Sequence, residues 1–368
     1  MARILKSVHV EDDLHYEKLG LKRNEIQLWE DGMRTDGGKG SYEWWYSDFS
    51  FDDGTKLVIM FYTKNPVRPD SGFRPFAEMD LTTPDGKTYY DIVSPDPGAC
   101  ILSKEKCRVI MGDSRFEGDL KKYEIVFRGQ KMQARLELTN TIPVWRSQTG
   151  TIFFGDRDEH HFSWLPATPE GKARAFITRD GKETVHEGSG YHDHNWGDVS
   201  MMKLMHHWYW GRAKIGDYKV ISSWITAGKK YGYNEFDIFM LAKGPEILGD
   251  NSNHTLKFLP EDEYMDENTG KPVYGKIVYE YETPAGEYYR ITFDRKGDIS
   301  REFFYQSLPK ALRPLAKLAG FLGSYQRFTG TAMIERLENG EVTERAAEDS
   351  AVWELMYFGK AGADKSDK

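Results

Sequence analysis

Two cysteines, Cys100 and Cys107, are all that this 368-residue chain holds. That is too few for a disulfide framework, so a reducing compartment is expected. Long apolar runs are missing as well. No stretch approaches the roughly 20 residues that a membrane-spanning helix needs. Met1-Ala2-Arg3-Ile4-Leu5-Lys6 leads to Glu11-Asp12-Asp13 rather than to the apolar segment of a signal peptide. A cytoplasmic protein is the expectation. Positive charge is also in short supply: 50 Lys and Arg against 58 Asp and Glu leave a net charge of −8. General nucleic-acid binding needs a basic surface, so that partner class is set aside. Two catalytic signatures are absent. There is no G-x-S-x-G nucleophile elbow, and neither cysteine lies near a histidine in a telling arrangement. No Gly-rich nucleotide fingerprint follows a strand and opens a helix.

What the chain has in excess is aromatic side chains, 14 % of residues with ten Trp and 21 Tyr. Aromatics favour strands and line apolar pockets, so a β-rich protein with a hydrophobic ligand is expected. Short apolar runs are punctuated by Asp53-Gly54, Asp85-Gly86, Asp180-Gly181, Gly216-Asp217, Ala285-Gly286 and Asn339-Gly340, all tight-turn dipeptides. Residues 132–138 alternate apolar Met132, Ala134, Leu136 and Leu138 with Gln133, Arg135 and Glu137, the pattern of a strand with one wet face. Residues 56–62 and 276–281 read the same way. The fold class is all-β and antiparallel, solved by barrels or sandwiches. One segment departs from it. Residues 308–327 place Leu308, Leu312, Leu315, Leu318, Ala319 and Leu322 at helical spacing, with Lys310, Arg313 and Lys317 among them. A helix is expected there, packed on the second barrel or, as a basic amphipathic surface, in peripheral contact with a membrane.

The chain length suits about two domains, and an internal repeat supports the division. Trp45-Tyr46 matches Trp208-Tyr209, Lys56 matches Lys219 and Thr63 matches Thr226, all at an offset of 163. After a shift of six, residues 78–81 parallel residues 235–238. The expected layout is a lead-in at 1–40, β domains at 41–197 and 198–358, and a disordered charged tail at 359–368.

The densest chemistry lies at residues 188–197, Gly-Ser-Gly-Tyr-His-Asp-His-Asn-Trp-Gly, where the first domain meets the second. In an extended strand Tyr191, Asp193 and Asn195 share one face, and His192, His194 and Trp196 share the other. The His192-x-His194 pair could ligate zinc. No third ligand stands at a fixed spacing, however, and His160-His161 and His206-His207 each point to opposite faces of a strand. Hydrogen-bonded structural histidines are therefore the expected reading, and no metal is expected. A carboxyl in an aromatic pocket remains, and burial can keep it protonated. A neutral acid in such a pocket is what protonation of an alkene requires. Asp193, Tyr191, His194 and Asn195 are the candidate catalytic residues.

Three motifs stand in order: Glu43-Trp44-Trp45-Tyr46, His161-Phe162-Ser163-Trp164-Leu165-Pro166, and residues 188–197. Together they resemble the lipocalin-like family that includes carotenoid 1,2-hydratase (hydroxyneurosporene synthase), kievitone hydratase and decalin-forming Diels–Alderases. The resemblance implies two tandem lipocalin-like β domains and cofactor-free reactions at C=C bonds of hydrophobic substrates. It also implies that Asp193, at the position of the motif aspartate, is the proton donor. Glu43, Trp45, His161, Trp164, His192, Trp196, Trp208, Trp210 and Trp224 are the candidate substrate-binding side chains, with Trp45, Trp164 and Trp196 stabilising a cation. The leading expectation is a hydratase or cyclase of an isoprenoid or polyene. A pericyclase and a non-catalytic carrier of a hydrophobic ligand are the alternatives.

Overall fold

The computed structural model describes residues 3–304 and 323–362. It is built of antiparallel sheets in two compact units. The first comprises His9–Phe153 and Arg157–Met201; the second runs from Met202 and takes in the residues up to Val8 and Phe154–Asp156. The fold is all-β and lipocalin-like, as the strand pattern and the motif resemblance led one to expect. No helix among the described residues is long and apolar enough to cross a membrane.

In the first unit the strand path begins Thr88–Val93, Phe76–Thr82, Lys56–Tyr62, Tyr42–Phe51. It continues Lys182–Gly197, His160–Arg179, Met132–Asn140, Lys122–Arg128, Ser114–Gly118, Arg108–Met111, Cys100–Leu102. The alternation at 132–138 is realised: Met132, Ala134, Leu136 and Leu138 are buried while Gln133 and Glu137 are exposed. Burying each large aliphatic side chain contributes about 1.5–3 kcal/mol. The sheet curls until strands far apart on the path meet, so that the ring of Phe61 packs edge-on against Phe116 at 5.8 Å.

The second unit follows the same plan. Its path begins Glu246–Asp250, Glu235–Lys243, Tyr218–Ala227, Met205–Ile215 and continues Glu341–Tyr357, Ser324–Glu338, Tyr288–Phe303, Pro272–Glu282, Lys257–Met265. Phe239 meets Tyr281 at 4.9 Å across the curl. In each unit the opening hairpin strand pairs with the last strand. That last strand is the second arm of a long hairpin, turned at Asp180-Gly181 in one unit and Asn339-Gly340 in the other. All four turn residues have positive φ, the signature of a tight two-residue turn.

The register corrects the details of the repeat. Trp45 pairs with Phe61 and Tyr209 pairs with Trp224, so the first strand is displaced by 164 and the second by 163. Trp45 therefore corresponds to Tyr209, not to Trp208. Both are buried in their cores, whereas Trp208 is only partly buried and packs on Phe358. In the same way Met79 opposes Ile59 and Phe239 opposes Ser222, which places Met79 with Phe239 rather than with Phe236. An odd error in offset turns a side chain to the wrong face of a strand.

The expected helix at 308–327 is corrected at its end. Residues 324–327 belong to strand Ser324–Glu338, where Ser324, Gln326 and Phe328 point inward at period two. The rest of that segment, 308–322, lies outside the described residues. At the proposed tail, Gly359 donates its N–H to the His206 carbonyl and the Lys360 carbonyl accepts from His206 Nε2. Residues 363–368 lie outside the described residues.

Candidate functional site

Residues 188–197 form the C-terminal part of strand Lys182–Gly197, flanked by Tyr42–Phe51 and His160–Arg179. Glycine is needed for the tight packing of these neighbours. A Cβ on Gly188 would lie 2.3 Å from the Ser50 carbonyl oxygen, and one on Gly190 would lie 2.5 Å from the Phe49 ring. The strand's two faces separate as alternation demands. His192 and His194 face the barrel core, while Tyr191, Asp193 and Asn195 face away from it.

On the face away from the core, Asp193 is held by three donors. The Trp164 indole N–H and the Tyr191 O–H both donate to Oδ2, each at 2.8 Å. The Asn195 amide is 2.7 Å from Oδ1. Trp164 sits directly opposite Asn195 on the next strand and reaches diagonally to the carboxyl. Burial pushes the Asp193 carboxyl above the usual carboxylate range, although Trp164, Tyr191, His192 and Asn195 all pull the other way. Burial and the neighbouring carboxyl push the Tyr191 phenol well above its ordinary value, so it remains a neutral donor. An aromatic strip continues from this point across the sheet. Tyr46 is 6.2 Å from Tyr191, Trp44 is 6.4 Å from Tyr62, and Tyr62 stacks on Phe76 at 4.5 Å.

The core face holds a second polar group, fully enclosed. His192 Nδ1 is 2.8 Å from the Tyr46 carbonyl and its Nε2 is 3.2 Å from Asp31 Oδ2. Tyr123 donates its O–H to the same Asp31 oxygen at 2.7 Å, and the Trp45 indole donates to the Asp31 carbonyl at 3.1 Å. His194 Nε2 is 2.8 Å from Glu43 Oε1. Glu43 also accepts from the Arg34 N–H, the Thr35 N–H and the Thr35 hydroxyl. Burial alone would raise the Asp31 carboxyl and lower the His192 imidazole. Their mutual attraction reverses both, taking Asp31 below its usual value and His192 above.

The structure thus brings Asp193, Tyr191, Asn195 and Trp164 together and places several other candidates elsewhere. His194 is turned away from Asp193 and engages Glu43. Trp45 stacks on His194 at 4.5 Å inside the barrel, and Trp196 lies 4.7 Å from His194. Neither shares the Asp193 face, because each stands an odd number of positions from it in register. His161 binds Asp198 through its backbone N–H at 3.0 Å. Trp208, Trp210 and Trp224 belong to the second unit, where Trp224 stacks on Phe258. Asp31, Cys107, Tyr123 and Tyr46 were not anticipated. For Tyr46 the signal was present, since it neighbours Trp45 on the opposite face. Asp31 carried none, arriving in the short 3-10 turn Leu28–Asp31 of the lead-in.

The comparisons agree with this architecture. The family described as carotenoid hydratase CrtC matches residues 92–228, which include the second and third motifs. The chain is 22 % identical over 157 residues to the quinolone epoxide rearrangement protein asqO of Emericella nidulans, covering 42 % of this chain and 41 % of that one. The chain spans about half the length of the curated relatives it matches. Among solved structures, CghA superposes with a TM-score of 0.58 at 12 % identity, covering 93 % of this chain and 97 % of that one. Kievitone hydratase from Nectria haematococca gives 0.53 at 12 %, covering 98 % and 99 %. At these identities the structural likeness shows the fold. The resemblance carried by the three motifs holds.

Proposed function

We propose that the chain is a cofactor-independent hydratase or cyclase acting on a C=C bond of a hydrophobic isoprenoid or polyene. The observation that carries this reading is the buried Asp193 carboxyl, held by Trp164, Tyr191 and Asn195 beside an aromatic strip. Asp193 gives its proton to one alkene carbon, breaking an O–H bond and forming a C–H bond, and the adjacent carbon becomes cationic. Water, or a nucleophile within the substrate, bonds to that carbon and releases a proton that restores the acid. The Trp164 N–H and Tyr191 O–H bind the carboxylate more strongly than the acid, so they favour the state reached as the proton leaves. The family match to carotenoid hydratases and the fold shared with kievitone hydratase support this class of reaction.

One observation favours a second reading. Three donors around one carboxyl also suit an aspartate that stays ionised and only polarises a bound substrate, as a pericyclase would use it. Turnover in deuterium oxide, with a substrate found by mass spectrometry of co-purifying ligand, separates the two. Acid-initiated chemistry incorporates solvent deuterium at carbon, and Asp193→Asn loses turnover while still binding. Product free of deuterium, or an Asp193→Asn variant with full activity, sinks the acid role. A ligand that leaves chemically unchanged points to a carrier.

A further inference from the structure

We propose that the interior of the first barrel is a structural divalent-metal site of zinc-binding chemistry, formed by Asp31, Cys107 and His192 with His194 beside them. One ligand atom from each of Asp31, Cys107 and His192 lies within 4.8 Å of the others, and all three residues are buried.

The hydrogen bonds decide which ring nitrogens are available. His192 Nδ1 faces a carbonyl oxygen, so it carries the hydrogen, and Nε2 turns its lone pair to Asp31 whenever the ring is neutral. His194 Nε2 faces the Glu43 carboxylate, which already accepts from Arg34 and Thr35. It too carries the hydrogen, leaving the Nδ1 lone pair turned to Asp31 Oδ1 at 3.5 Å. Two lone pairs therefore confront one carboxylate. A proton on His192 satisfies the 3.2 Å contact, yet Asp31 Oδ1 and His194 Nδ1 are still buried without hydrogen-bond partners. A metal cation between them satisfies both, as a second proton on His194 also would, and the thiol of Cys107 beside them favours the metal. Among the described residues, the side-chain nitrogens within ion-pair distance of the Asp31 and Glu43 carboxylates all belong to imidazoles.

The spacing and surroundings bear on this as well. His192 Nε2 stands 3.2 Å from Asp31 Oδ2 and His194 Nδ1 stands 3.5 Å from Asp31 Oδ1, near the roughly 3.3–3.6 Å between ligands that lie about 2.0–2.2 Å from a tetrahedral zinc, and the Cys107 sulfur lies within 4.8 Å of its two partners. Ligating histidines commonly tie their other nitrogen to a carbonyl or carboxylate, as Tyr46 and Glu43 do here. A dication with one carboxylate and one thiolate is neutral overall, which suits an apolar interior. The ligands come from the lead-in, the segment before strand Arg108–Met111 and the closing strand, so an ion would join three parts of the unit.

The test uses the full chain, stripped with a chelator and titrated with Zn(II) and then Co(II). Stoichiometric zinc, a melting temperature that falls on stripping and recovers with Zn(II), and a cobalt–thiolate charge-transfer band are expected. That band is lost in Cys107→Ser, kept in Cys100→Ser and weakened in Asp31→Asn. Cys107→Ser is near-isosteric, so its reading survives if Asp31→Asn fails to fold. No uptake of either metal with an unchanged melting temperature overturns the proposal. So does a band that follows Cys100.

Discussion

The last strands of the two units occupy the same place in the same topology and carry opposite chemistry. His194 stands opposite Trp45 in the first unit, and Leu355 stands opposite Tyr209 in the second. Read outward from that match, the core-facing residues His192, His194 and Trp196 correspond to Trp353, Leu355 and Tyr357, all three of which lie in the second core. On the other face Tyr191, Asp193 and Asn195 correspond to Val352, Glu354 and Met356. Even the diagonal contact survives: Trp164 donates to Asp193, and its counterpart Tyr325 donates to Glu354 at 2.6 Å. The second unit keeps the Tyr325 donor and the carboxylate, and has Val352 and Met356 where Tyr191 and Asn195 stand. A curled sheet of this kind needs only a filled apolar interior. The first unit holds ionisable groups where apolar ones would serve, and such groups are costly to bury without a purpose.

The largest predicted contrast is between the two carboxylates. Asp193→Asn should lower turnover by ~10²–10⁴-fold, the usual worth of a general acid, while Glu354→Gln leaves it at the wild-type level. Steady-state kinetics on both variants checks this, and equal losses would break the contrast. Next comes exchange between the interiors. His194→Leu installs the second barrel's residue and strands Glu43, costing about 3 kcal/mol, near the low end because Arg34 and Thr35 still donate to it. Urea midpoints measure it, and an unchanged midpoint would mean the first interior tolerates an apolar lining.

Trp164→Phe removes one donor from Asp193, worth about 1.5–3 kcal/mol if the carboxylate forms during reaction, or roughly ten- to a hundredfold in kcat. Tyr325→Phe should leave kcat alone. The smallest effect concerns charge in the second unit, where Lys271 donates to the Gly359 carbonyl and lies 4.7 Å over the Tyr357 ring. Burial lowers its ammonium pKa from 10.5 to about 8. Between those values the folded chain binds fewer protons than the unfolded one, so this group makes stability rise with pH through that window. Lys271→Met should flatten that slope between pH 8 and pH 10 in urea titrations. An identical slope in the variant would remove Lys271 as its source.

Much of this architecture was legible in the chain because it is local. The pleat has period two, so Tyr191, Asp193 and Asn195 had to part from His192, His194 and Trp196 in any extended strand. Asp180-Gly181 and Asn339-Gly340 announced the long hairpins through residues that tolerate positive φ. The errors came where register mattered. The motif sets Trp45 beside Asp193, yet Trp45 pairs with His194 and so turns inward; Trp196, three positions from Asp193, is parted from it by alternation alone. The repeat was displaced by one residue in its first strand, which is enough to exchange Trp208 for Tyr209.

By itself, then, the sequence determined the all-β class, the strand that carries the acid and the division of that strand's side chains between two faces. Each follows from backbone geometry within a few residues. Only the tertiary structure decided that Trp164 reaches Asp193, and that Asp31 and Cys107 come from distant segments to meet His192 inside the barrel. Those meetings depend on pairing between strands and on where the lead-in turns, and no local period encodes either. Residues 188–197 supplied three of the four side chains of the acid group and both histidines of the core group, and strand pairing and the turn of the lead-in supplied the rest.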